Sequence, residues 1–203
     1  MSFEPEIKLR GEKFFVTSDT HYHHANICRG TSKWPVEDTR DFATLEAMDT
    51  ALVDRINAVV PEDGVLFHLG DWSFGGRNRI WEFRRQLDVK TVHLLLGNHD
   101  EHMARDTSLH YLFDSVSRYK EIRVEGQNIV LFHYGMRVWN ESHKGSWHLF
   151  GHSHDSLPPH GLSIDVGADT NDLKPYTFDE IKAAMSPLRP TLVDHHGLRP
   201  EVT

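Results

Sequence analysis

Three short apolar runs in the first half of the chain each stop at a polar cluster containing Asp, Asn or His. This recurrence constrains the fold more than any other feature. Phe14-Phe15-Val16 leads into Asp19-Thr20-His21, residues 65–69 lead into Gly70-Asp71, and residues 91–96 lead into Gly97-Asn98-His99-Asp100. Runs this short, rich in aromatic and β-branched residues, are expected to be buried strands. Between them, Leu45, Met48, Leu52, Ile56 and Val59 recur at helical spacing up to Pro61, and Ile80, Phe83 and Leu87 share one face of a second helix over 78–87. Alternating strands and helices imply an α/β protein, where ligand-binding groups gather beyond the carboxyl ends of strands.

Further strands are expected at 116–124, 129–132, 147–150 and 162–166, and Thr177-Phe178-Asp179-Glu180 has the form of a capping box opening a last helix. A helix-and-strand half followed by a strand-rich half suggests an α/β fold in which a two-sheet β-sandwich is flanked by helices (αββα). The 203 residues suit a single domain, 1–203, with 187–203 as a docked or loose C-terminal tail. Cys28 is the sole cysteine, so no intrachain disulfide is possible. Residues 1–10 lack the apolar core of a secretion signal, and no window is apolar for long enough to span a bilayer. A cytoplasmic location without membrane association is therefore expected. The formal charge of −8 argues against general nucleic-acid binding through a basic surface, though bound cations would still attract phosphate.

Five pieces fit together: Asp19-Thr20-His21, Gly70-Asp71, Gly97-Asn98-His99-Asp100, His133-Tyr134 and Gly151-His152-Ser153-His154. In extended backbone the two-residue spacing of Asp19/His21 and of His152/His154 would point both members of each pair to one face. Adjacent glycines let backbone approach closely. Asp19, His21, Asp71, Asn98, His133, His152 and His154 offer mixed oxygen and imidazole ligands, a set suited to borderline first-row ions, with no thiolate to mark a structural zinc. Seven ligands exceed one ion's share, so two divalent cations sharing a carboxylate is the economical arrangement. Mn is the foremost candidate, and Fe, Zn or Ni are also admissible.

These pieces, in this order from Asp19 to His154, resemble the calcineurin-like metallophosphoesterase family, whose pattern is D-x-H, G-D, G-N-H-[DE], H and G-H-x-H. Longer stretches at 19–27, 133–140 and 147–154 resemble its small single-domain phosphoesterase branch. The resemblance implies a metal-dependent phosphoesterase, cleaving esters by attack of a metal-bound hydroxide. Asp19, His21 and His154 would hold one cation, Asn98, His133 and His152 the other, and Asp71 would bridge them. His99 would assist the leaving group as a catalytic residue, with Asp100 orienting its ring. The branch commonly has Gly where His23 stands and Pro where Gly135 stands. His24, Asn26 and Arg137 are candidate substrate-binding residues.

The expected substrate is a small phosphorylated molecule, with a lean to diesters and nucleotides because the chain is short and has no appended recognition domain. The alternatives are a nuclease acting on DNA or RNA, and a non-catalytic scaffold of the same fold. A lone histidine is more often a hydrogen-bonded loop residue than a ligand, which is the expectation for His23, His24, His102, His110, His143, His148, His160, His195 and His196, with substrate contact as the alternative for His24. Gly75-Gly76 is expected to be a turn, and Trp72 and Trp139 to be packing residues.

Overall fold

The computed structural model describes residues 5 and 7–191. His195, His196 and most of the expected tail lie outside the described residues. In chain order the elements are β1 (Ile7–Leu9), β2 (Phe14–Thr17), α1 (Leu45–Val59), β3 (Val65–His68), α2 (Arg77–Gln86) and β4 (Thr91–Leu95). Then come α3 (Glu101–Arg105), β5 (Ser115–Ser117), β6 (Tyr119–Val124), β7 (Gln127–Phe132), β8 (Trp147–Phe150), β9 (Ser163–Asp165), β10 (Tyr176–Thr177) and α4 (Phe178–Met185).

Two five-stranded sheets form, in the orders β1-β6-β7-β8-β9 and β10-β2-β3-β4-β5. All four residues of β2 are buried, as expected of a strand covered on both faces. Their alternation divides the core. Phe14 and Val16 face a cluster with Phe67, Ile122, Ile129 and Leu149 between the sheets, while Phe15 faces Ile56, Ile80 and Phe83 of the helices. Phe178, Ile181 and Met185 of α4 join the inter-sheet cluster. The architecture is a two-sheet sandwich flanked by helices. The capping box at Thr177 and Glu180 is formed in both directions.

One expected strand is split. Residues 116–124 were to form one strand, but β5 pairs with β4 in one sheet and β6 with β1 and β7 in the other. The chain crosses between sheets at Arg118, and an apolar pattern alone does not show which neighbour each half finds. β1, β10 and α3 are too short for periodicity to mark. Among the described residues, no helix is long and apolar enough to cross a membrane.

Register places the loops. β2, β3 and β4 run parallel with Thr17 opposite His68 and His68 opposite Leu94, so the three strands end side by side. β7 and β8 are likewise parallel, with Leu131 opposite Leu149. Five polar clusters therefore leave the carboxyl ends of five strands, three in one sheet and two in the other.

Candidate metal centre

The β2 and β3 loops are zipped together before any side chain is considered. Asp19 N–H donates to Gly70 O at 2.9 Å, His21 N–H to Asp71 O at 3.0 Å and Tyr22 N–H to Trp72 O at 3.2 Å. Asp19, His21, Asp71, His152 and His154 all have positive φ, between 46° and 69°. The left-handed region is uncommon for such residues, and concentrated strain of this kind marks functional sites. The geometry also corrects one expectation. The pairs Asp19/His21 and His152/His154 are not extended backbone with alternating faces; left-handed turns aim them. His23 shares this conformation at φ 64°, which gives a reason for the glycine common there in the resembling branch. Asp49 holds both its N–H and its ring, each at 2.8 Å.

Two triads result. Ligand atoms of Asp19, His21 and His154 lie within 4.8 Å of one another, and so do those of Asp71, His133 and His152. Asp71 Oδ2 stands 3.6 Å from His21 Nε2 and 3.6 Å from His133 Nε2, so it faces both groups. Atoms bound at ~2.1 Å to a common ion lie roughly 3–3.5 Å apart, so these separations are close to those of a coordination shell. Asn98 Oδ1 is 3.0 Å from His133 Nε2. All seven sequence-expected ligands are thus brought to one place, His152 and His154 in different triads.

The protonation geometry fits cations. His133 Nδ1 lies 2.9 Å from Leu69 O, and a carbonyl only accepts, so Nδ1 carries the proton and Nε2 presents a lone pair. That lone pair faces the amide oxygen of Asn98, an arrangement of two acceptors that a shared cation resolves. His154 Nδ1 donates to Asp169 Oδ2 at 2.6 Å, which likewise leaves Nε2 free. Asp19 Oδ1 and both ring nitrogens of His21 are buried without a hydrogen-bond partner. Buried carboxylate and imidazole atoms left unpaired are costly unless something else binds them.

The charges agree. Burial pushes the carboxyls of Asp19 and Asp71 up to about 7, since the protein by itself supplies too little positive charge. Burial holds His21 well below its usual value and lowers His133 to about 4, so both rings are neutral ligands at physiological pH. His154 moves the other way: burial pulls it down, but the bond to Asp169 and the charge of Asp19 outweigh that.

Glycines keep the floor thin. A Cβ on Gly97 would stand 2.2 Å from Asp71 Oδ1, and one on Gly151 would stand 2.2 Å from Asp19 Oδ2, so any side chain there displaces a ligand. His152 N–H donates to Asp19 Oδ2 at 2.8 Å, tying the β8 loop to the β2 loop.

Asp100 acts differently from its expected role. Its carboxylate accepts the N–H groups of Asp71 at 2.7 Å, Trp72 at 3.0 Å and Gly97 at 2.8 Å. It clips the β3 loop to the β4 loop, and among the described residues no hydrogen bond joins it to the His99 ring. His99 stands half-exposed at the rim of the cavity, its Nε2 4.0 Å from Asp71 Oδ2, and its N–H donates to Asp71 Oδ1 at 2.9 Å. His24 lines the same small cavity and stacks on Phe74 at 3.6 Å. Neither Asn26 nor Arg137 lines it. Arg137 instead lines a different cavity with Met136, Leu157 and Pro158, and so is not placed at the metal groups.

Arg40 and Asp169 escape a reading by motif. Arg40 is buried, donates from Nε and Nη2 to both oxygens of Asp169, at 2.6 and 3.0 Å, and reaches Thr20 O and Asp19 O at 2.7 Å each. One side chain thereby holds the carbonyls of the first ligand loop and the carboxylate that orients His154. Asp169 follows β9, so the strand-end pattern was a signal that could have found it; Arg40 has no such mark. His68 is a second unmarked support. Gly70 N–H donates to its Nδ1 at 3.2 Å, so its Nε2–H donates to Thr20 Oγ1 at 2.8 Å, which donates to Trp72 O at 2.8 Å. Burial lowers it to about 3, so it stays neutral.

Several of the remaining residues serve structure. Trp72 and Trp139 are buried, donating to Ile80 O and Ser146 O. Gly75 and Gly76 form the turn into α2, at φ 96° and 73°. His148 is buried against Val130 O and Met136 N, and His110 bonds Met103 O.

No protein-family profile matches the chain. It is similar to an uncharacterized protein of Methanocaldococcus jannaschii, 26% identical over 178 residues that span 83% of this chain and 89% of the relative. It is also similar to the crystal structure of a protein of unknown function from Aquifex aeolicus, with a TM-score of 0.62 and 23% identity, covering 84% of this chain and 97% of that one. The second likeness establishes a shared fold.

Proposed function

We propose that the protein is a dinuclear metal-dependent phosphoesterase of the calcineurin-like kind, acting in the cytoplasm on a small phosphorylated molecule. The observation that carries this reading is the position of Asp71 Oδ2, equidistant at 3.6 Å from a histidine of each triad. A single carboxylate facing two ligand groups is an arrangement suited to two neighbouring cations that share a ligand. When bound, such cations supply Lewis-acid charge at the phosphoryl oxygens and make hydroxide available near neutral pH.

The chain's own residues do the rest. Leu69 O and Asp169 fix the His133 and His154 rings with Nε2 toward the centre. The His99 ring has no hydrogen bond to the described residues, so its ring N–H is free to meet the leaving oxygen as charge develops there. His21, His24 and Ile27 line the cavity together with Asp71.

The test is direct. Purified protein reconstituted with Mn²⁺ is expected to bind two equivalents and to hydrolyse bis(p-nitrophenyl) phosphate, and chelation is expected to abolish turnover. Turnover that survives complete chelation, or failure to bind metal after reconstitution, overturns the reading.

A further inference from the structure

A second cavity, of about 500 Å³, opens beside the small one that holds the ligands, and Ile27, Trp34 and His154 line both. Whatever is held at the metal groups therefore has an adjoining chamber large enough for its organic half. The wall between them is aromatic. Trp34 is 46% exposed, so its indole is open to a ligand in the chamber. It meets the His24 ring edge-on at 5.4 Å, and His24 is itself held flat against Phe74. Trp34 N–H donates to Ser32 Oγ, which donates to Asn26 O, so the segment carrying the indole is pinned.

The exposed charges on this chamber are negative. Glu37 and Asp38 are exposed acceptors on it. Its one arginine, Arg40, is committed to Asp169 and to two backbone carbonyls. A second phosphate would meet the exposed carboxylates of Glu37 and Asp38, while the Arg40 guanidinium is already engaged. A flat ring with N–H donors would find an indole to lie on and carboxylates to receive those donors.

We infer that this chamber is a nucleoside subsite: Trp34 stacks the base, and Glu37 and Asp38 accept from its ring and exocyclic N–H groups. The inference deepens the proposed function and rests on it for the position of the phosphate. Binding of the free nucleoside, however, requires no turnover.

Isothermal titration of guanosine and of ribose into the full chain, loaded with Mn²⁺, tests it. Guanosine is expected to bind and ribose is not. Trp34→Ala is expected to weaken guanosine binding about ten-fold to a hundred-fold, the usual scale of losing a stacked base. The double change Glu37→Gln with Asp38→Asn is expected to weaken guanosine more than thymidine, which offers one ring N–H and no exocyclic amine. Trp34 is a surface residue, and an unchanged unfolding temperature shows that the variant is folded. Guanosine binding no tighter than ribose, or unchanged in Trp34→Ala, overturns the subsite. Loss of phosphoester hydrolysis with guanosine binding intact would strike the proposed function alone.

Discussion

The carboxylate of Asp169 accepts the Nδ1–H of His154 at 2.6 Å, which leaves His154 Nε2 directed at Asp19 Oδ1, 4.0 Å away. The same carboxylate is the partner of buried Arg40, which keeps it ionised although burial works against this. Asp169→Asn replaces one of the two acceptor oxygens by an amide donor and removes the charge, so the His154 ring and Arg40 no longer share an ionised partner. Weakening of the cation held by Asp19, His21 and His154 by about 10–100-fold is expected, with the other site largely retained. Metal titration followed spectroscopically would then resolve one weak and one tight step. Two equally weakened steps would mean that Asp169 supports the whole loop assembly and not this ring. A stability loss of about 3–5 kcal/mol accompanies the change if Arg40 cannot find another partner.

Asp71 should behave otherwise, because its Oδ2 faces both triads. Asp71→Asn is expected to reduce metal stoichiometry at both sites together and to lower turnover at least about 10-fold at saturating Mn²⁺. Elemental analysis after gel filtration reads this out. Retention of two tightly held equivalents would show that the carboxylate does not bridge.

His99 is expected to separate chemistry from metal binding. Its ring lies at the rim, 4.0 Å from Asp71, and belongs to neither triad. His99→Ala should keep both cations and lose about 10²–10⁴-fold in turnover on an ester with a poor leaving group. The loss should shrink on a p-nitrophenyl ester, which needs little help in departing. Native turnover on the poor leaving group would remove His99 from the mechanism.

The polar clusters at 19–21, 70–71, 97–100, 133 and 152–154 were legible because ligand types recur where strands end, a pattern local enough to survive in sequence. What aims those ligands was not. The left-handed turns at Asp19, His21, Asp71, His152 and His154 are conformations that tertiary contacts impose and residue type does not advertise. Arg40 and Asp169 meet across 129 positions of chain, and no short-range spacing announces such a pair. Asp100 was placed beside His99 because it is adjacent in sequence, whereas the fold turns its carboxylate to three backbone N–H groups. The sandwich itself was readable from the order of strands and helices, but the crossing at Arg118 depended on which sheet each half-strand joined.

Protons and cations compete for one set of groups, which fixes the sign of a pH effect. Without metal, Asp19 and Asp71 titrate near 7 in the folded chain, against 3.8 for the ordinary group. A carboxyl raised in this way stabilises the fold fully below about pH 4, and that contribution is lost as pH rises through 7. Cations bind the ionised form, so the stability they restore grows over the same interval. His133, lowered to about 4, is already neutral above pH 5, and burial holds His21 well below its usual value, so neither opposes the trend. His154, raised by Asp169 and Asp19, adds to it. The rise in unfolding temperature on adding Mn²⁺ to chelated protein should therefore be small at pH 5 and largest above pH 7.5. Differential scanning calorimetry of paired samples isolates the metal term from every other titrating group. An increment equal at pH 5 and pH 8 would mean that the cations do not displace protons from Asp19 and Asp71.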